Sequence, residues 1–223
     1  MGSLKGVDVF TMLIGEVDAV PGVAGDHQEH KISTRFFSFV GPLIPFESMC
    51  VTFEHFEQHG RSSTHSYSGE KVRLNVWSIL LGYLRVWLSI GVLALPFVLY
   101  WGKTVEGYMF WPSLYSLIGA IVVLVVPGLL ARGKRKRLVV MRRVVGLGCD
   151  PAYRYKWRRE EAASELLARV GQMGLPSSPE TLVDRVSSMS PEQLELVFAT
   201  AWYHSVDNAS WKSVREVTWA RLA

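Results

Sequence analysis

Two runs of the chain contain no charged side chain: the 17 residues between Arg85 and Lys103, and the 25 from Gly107 to Ala131. No other feature restricts the fold so strongly, because a charge-free helix of that length has to bury its whole circumference. At a helical rise the first run covers about 26 Å, close to the roughly 30 Å hydrocarbon core of a bilayer. The apolar stretch VWSILLGYL extends that helix back to about Trp77, which leaves Arg85 near one end, where its long side chain can reach an interface. In the second run Pro112 stands where a first helical turn tolerates it. Trp77, Trp87, Tyr100, Trp101, Tyr108 and Trp111 fall mostly near the ends of the two runs, as interfacial aromatics do. The expectation is a two-helix transmembrane hairpin over 76–131, with helices at about 77–101 and 109–131.

Charge is segregated around these runs. Residues 1–75 carry a net of −3, 76–131 a net of +1, and 132–223 a net of +6. The second run ends in LVVPGLLARGKRKR, where Arg132, Lys134, Arg135, Lys136 and Arg137 follow at once on the aliphatic residues. Such a block beside a span reads as a membrane-flanking anchor on the cytoplasmic side, with lipids as partners and no nucleic acid required. Lys71 and Arg73 flank the other end of the hairpin, so both termini are expected in the cytoplasm. Asp8, Glu16 and Asp18 interrupt the apolar residues at the N-terminus, so no cleavable signal peptide is expected. Gly6 stands where myristoylation calls for Ser or Thr. Cys50 and Cys149 are too few and too far apart for a disulfide scaffold, which suits a reducing compartment. A plasma membrane, and a bacterial inner membrane in particular, fits these features.

The expected fold class is thus a membrane protein, a transmembrane hairpin with a small β-rich N-terminal cytoplasmic module (1–75) and a small all-α C-terminal cytoplasmic module (150–223). A basic juxtamembrane segment (132–149) joins hairpin and C-terminal module. In the N-terminal part VDVFTMLIG, HKISTRFFSFV and SMCVTFEHFEQ are rich in β-branched and aromatic residues and read as strands. GPLIPF reads as a turn, and the polar GRSSTHSYSGE (60–70) as a loop. The stretch STRFFSFVGPLIPFESMCV resembles the Phe-rich, Pro-turn strand pair of some small bacterial zinc-ribbon proteins. Those proteins carry paired Cys-x-x-Cys knuckles, whereas Cys50 stands alone here, so the resemblance implies a hairpin and no metal site.

Five of the six histidines lie before the hairpin. His27 and His30 are three apart, and His55 and His59 share a strand face if the strand runs that far. With Glu29, Glu54 and Glu57 nearby, these four histidines are the candidate metal ligands, against the plainer reading of a polar surface rim. No cofactor is expected.

From residue 150 the pattern is helical. Asp150 followed by Pro151 starts one helix, which stops at Gly174 and Pro176. Ser177-x-x-Glu180 and Ser190-x-x-Gln193 read as capping boxes of the next two. Leu194, Val197, Phe198, Ala201 and Trp202 form one apolar stripe, and Trp211, Val214, Thr218 and Leu222 another. The sequence holds no Gly-rich phosphate loop, nucleophile elbow, His-Glu-x-x-His pair or paired cysteines. The expected function is therefore non-enzymatic: an integral membrane protein that anchors interaction modules and binds a protein partner or further copies of itself. A channel or transporter subunit, or metal binding by the N-terminal histidines, are the alternatives.

Overall fold

The computed structural model describes residues 11–22, 28–38, 42–59, 62–101, 115, 118–119, 122 and 132–223. They divide into two units, one built from residues up to Ala19 and from Lys31–Gly133, the other from Val20–His30 and Lys134–Ala223.

The first unit carries a four-stranded sheet in the order β1 (Thr11–Val20), β2 (His30–Ser38), β3 (Pro42–His59), β4 (Ser62–Val72). β2 and β4 both run antiparallel to β3. Pro42 and Pro45 lie inside β3, where the ladder to β2 shifts register twice. Irregularities of this kind admit a residue with no N–H to give. A second irregularity separates Val51 from Phe53. Thr52 is the extra residue, so the period-two alternation breaks there: Val51 is fully buried and Phe53 exposed. Of the segment expected to be a polar loop at 60–70, residues 62–70 form most of β4 instead, and 60–61 lie outside the described residues. Its backbone pairs with β3 continuously from Phe53↔Ser68 to His59↔Ser62. Ser, Thr and His carry little apolar signal, and the pairing is made by backbone groups that a hydropathy pattern does not register.

Helix α1 (Val76–Trp101) follows the sheet. Asn75 caps its start, the side-chain oxygen accepting from the Ser78 N–H at 2.9 Å. The Asn75 N–H donates in turn to Ser48 Oγ at 3.1 Å. Thr34 Oγ1 lies 2.7 Å from Ser48 Oγ and donates to Ser78 Oγ at 2.8 Å, so β2, β3 and α1 meet in a buried chain of hydroxyls. One turn on, Gly82 lets the Phe36 ring approach to 2.9 Å of where a Cβ would stand, and Phe36 meets Tyr83 edge-on at 5.2 Å. Arg85 donates to the Glu16 carbonyl at 3.2 Å.

The transmembrane hairpin is not found. Among the described residues no helix is long and apolar enough to cross a membrane. This corrects the expected fold class, the integral-membrane function with its channel alternative, and the multi-pass plasma-membrane location with cytoplasmic termini. The physical reason is visible in the first half of α1. Its count of charges is low, but Asn75, Ser78 and Arg85 bond to the sheet's own polar groups, which is the behaviour of a helix packed on protein. Of the second run, only Tyr115, Ile118, Gly119 and Val122 fall among the described residues, all of them helical.

The second unit is helical: α2 (Arg132–Val145), α3 (Lys156–Gln172), α4 (Pro179–Arg185), α5 (Pro191–Ser205) and α6 (Trp211–Leu222), with 3₁₀ turns at Pro151–Tyr153 and Val186–Ser188. Its core joins Leu138 and Met141 of α2 to Leu166, Val170, Leu182, Leu196, Phe198, Trp202, Tyr203, Trp211 and Val214, with Val20 from the N-terminal part of the chain. Asp150 caps the 3₁₀ turn rather than α3, which starts only at Lys156. The Ser190–Gln193 capping box forms with both reciprocal bonds. Ser178, one residue past the expected Ser177, precedes α4 and makes no backbone cap.

Candidate interaction surface

The side of α1 away from Ser78, Leu81 and Gly82 is apolar and open. Val76 is 75% exposed, Trp77 66%, Leu80 43%, Trp87 50% and Ile90 38%. Leu84 is half-buried between them, and Gly91 has nothing within 4 Å of where a Cβ would stand. Trp77, Leu80, Leu84, Trp87 and Gly91 are spaced 3, 4, 3 and 4, the a/d spacing of a helix–helix seam. The seam continues for two heptads with no charged side chain in it. Large apolar side chains gathered on one exposed face are unusual for a chain that stays alone, and mark a docking surface. A smaller open group in the same unit is formed by Tyr115, Ile118 and Val122. Phe37 and Ile44, paired across β2 and β3, and Phe46 beside them are exposed too.

Sequence reading singled out Trp77 and Trp87 but assigned them to a lipid interface. Val76, Leu80 and Ile90 were missed, because in a run apolar on all sides the heptad spacing is hidden among other apolar residues. What separates the faces is Ser78, Gly82 and Arg85, three positions that a charge count passes over or treats as an exception.

Of the four candidate metal ligands, His30 alone has its side chain among the described residues. His30 is buried, and its Nδ1 accepts the Gly148 N–H at 3.1 Å. That nitrogen is therefore occupied in a structural bond. His55 and His59 lie on β3, paired with Ser66 and Ser62. Their side chains are outside the described residues, as is all of His27. Among the described residues no group of three or more His, Cys, Asp and Glu could hold a metal ion.

The basic block lies on α2. Lys134 pairs with Asp150 at 3.0 Å and stands 4.8 Å over the Tyr153 ring. Arg137 reaches both carboxylate oxygens of Glu216, at 3.1 and 3.4 Å, and lies 5.2 Å over Trp219. Burial pushes the Glu216 carboxyl up, but the Arg215 hydrogen bond and the Arg137 charge outweigh it and hold the group below its usual range. Lys136 is exposed, and the Arg132 side chain is outside the described residues. Leu138 and Met141, directly after the block, are fully buried, so α2 is a bundle helix with a charged outer face.

Further cations serve the same unit. Arg142 is buried and donates to the carbonyls of Val20, Pro21 and Gln28 at 3.3, 2.8 and 2.5 Å. Arg154 donates to Tyr203 Oη at 2.6 Å. Arg159 forks onto Asp207 at 2.8 and 3.0 Å. These arginines fasten the unit to itself. Burial lowers the pKa of His204, opposed by the Ala163 carbonyl and by Asp207, and its ring stacks on Trp211 at 4.8 Å. Its Nε2 is buried without a hydrogen-bond partner.

Comparison of the chain with known protein families, with curated proteins and with solved structures gives no match.

Proposed function

We propose that the protein is a non-enzymatic interaction protein that docks another polypeptide on the open face of α1. The observation that carries this reading is the position of Trp77, Leu80, Trp87 and Ile90. They line one exposed side of a helix whose other side is fixed to the sheet by the Asn75–Ser48–Thr34–Ser78 hydrogen bonds. A rigid platform presenting aromatic anchors is what a helix-on-helix contact uses, since little ordering remains to be lost on binding. The charged groups of the second unit favour no competing reading, because its buried arginines donate to internal carbonyls, the Tyr203 hydroxyl and the Asp207 carboxylate.

The test is a photo-crosslinking side chain placed at position 80 of the full chain in living cells. A discrete adduct with a polypeptide is expected. Adducts with lipid alone, or none at all while position 80 stays labile to water-borne reagents, would remove the reading.

A further inference from the structure

We infer that the polypeptide docked on α1 is a second copy of this chain, its α1 lying antiparallel to the first. The inference rests on the docking role proposed above and names its occupant. Three observations lead to it.

The first is charge. From Val86 to Gly102 the chain has no charged side chain, and the only charge in the described part of α1, Arg85, is turned to the Glu16 carbonyl. A partner bearing charge at the contact would have to strip it of water with nothing opposite to replace the lost hydration. The occupant must present an equally long, uncharged apolar helix face, and α1 itself is such a face.

The second is spacing. About a two-fold axis between Tyr83 and Leu84, Leu80 comes opposite the partner's Trp87, and Trp77 opposite the partner's Ile90. Each indole meets an aliphatic side chain, and Val76 meets the open backbone at the partner's Gly91. A parallel pair would instead set Trp77 against the partner's Trp77 and Trp87 against the partner's Trp87, two bulky pairs with the smaller residues left between them. Interdigitating large against small fills such an interface better. An isologous contact also closes on itself and leaves no face to propagate.

The third is area. A wholly covered aromatic side chain contributes about 150–250 Å². With Trp77 and Trp87 half-exposed or more and three aliphatic neighbours open beside them, α1 offers on the order of 500 Å² of apolar surface. Standard interfaces take about 800 Å² from each partner. α1 thus supplies most of what a stable pair needs, and a rim from the same unit, to which Tyr115, Ile118 and Val122 also belong, would supply the rest.

The experiment uses the full chain at micromolar concentration. Light scattering should give about twice the 25.1 kDa of one chain. Leu80→Arg should raise the dimer dissociation constant at least about 100-fold with the circular dichroism spectrum unchanged. As a check that needs no destabilising change, Leu84→Cys, next to the axis, should form a disulfide-linked dimer under mild oxidation, whereas Trp77→Cys should not. The native Cys50 and Cys149 are both buried and should stay silent. Linking at both engineered positions would overturn the antiparallel arrangement. A chain monomeric up to about 100 μM, whose position-80 photo-adduct contains a different polypeptide, would overturn the second copy and leave the docking role standing. A monomer with no polypeptide adduct would sink both.

Discussion

Gly69 pairs with Val51 across β3 and β4, and a Cβ there would stand 2.1 Å from the carbonyl oxygen of the preceding residue, Cys50. Because the obstacle is backbone, no rotamer change relieves it, and the strands would have to part. Gly69→Ala should therefore cost about 1–3 kcal/mol or more, read as a lower midpoint in chemical denaturation. His204 gives the second prediction at this scale. Burial holds its folded-state pKa below the usual 6.5, so between the two values the unfolded chain binds more protons than the folded one. Stability from this group is complete above about pH 6.5 and is lost as the pH falls through the folded-state value. Denaturation midpoints measured from pH 7.5 down to 5 should decline, and His204→Phe should flatten that part of the curve. An unchanged slope in the variant would mean that other groups set the acid limb.

Individual elements show what could be read beforehand. The Ser190–Gln193 box forms as read because capping is local, decided by residues three apart. Ser190→Ala should cost about 1 kcal/mol, seen as a matching loss in the unfolding free energy. The stripes of α5 and α6 were legible for the same reason, since helix periodicity announces a buried face: Leu194, Val197, Phe198, Ala201, Trp202, Trp211, Val214 and Thr218 are all buried. β4 was not legible, because its pairing is carried by main-chain groups and its residues lack apolar alternation. Nor was the Thr52 bulge, which flips Phe53 to the other face while leaving the sequence pattern intact. The face of α1 was half legible. Its apolar content was evident, but the partner of its polar edge is made of Thr34 and Ser48, 44 and 30 positions earlier in the chain, and no local pattern reaches that far.

On the scale of the whole molecule the decisive feature is that the helical unit is discontinuous. Arg142 takes its acceptors from Val20, Pro21 and Gln28, and Gly148 takes His30 as its acceptor. A fragment of residues 132–223 would keep five helices but leave the buried Arg142 guanidinium without those carbonyls. It should be helical by circular dichroism, yet unfold at a lower denaturant concentration than the same unit in the full chain. Adding a peptide of residues 19–31 should recover part of the loss. A fragment as stable as the full chain would show that Arg142 finds water or other acceptors at no cost.

The same discontinuity sets a timetable for biosynthesis. Val20 leaves the ribosome 122 residues before Arg142, a delay on the order of ten seconds at ordinary elongation rates. Throughout that interval the sheet and α1 can form, while the Val20–His30 segment waits between two finished strands for a binding partner that does not yet exist. The helical unit is thus completed by a piece translated well before it, and it can close only once synthesis has passed residue 148.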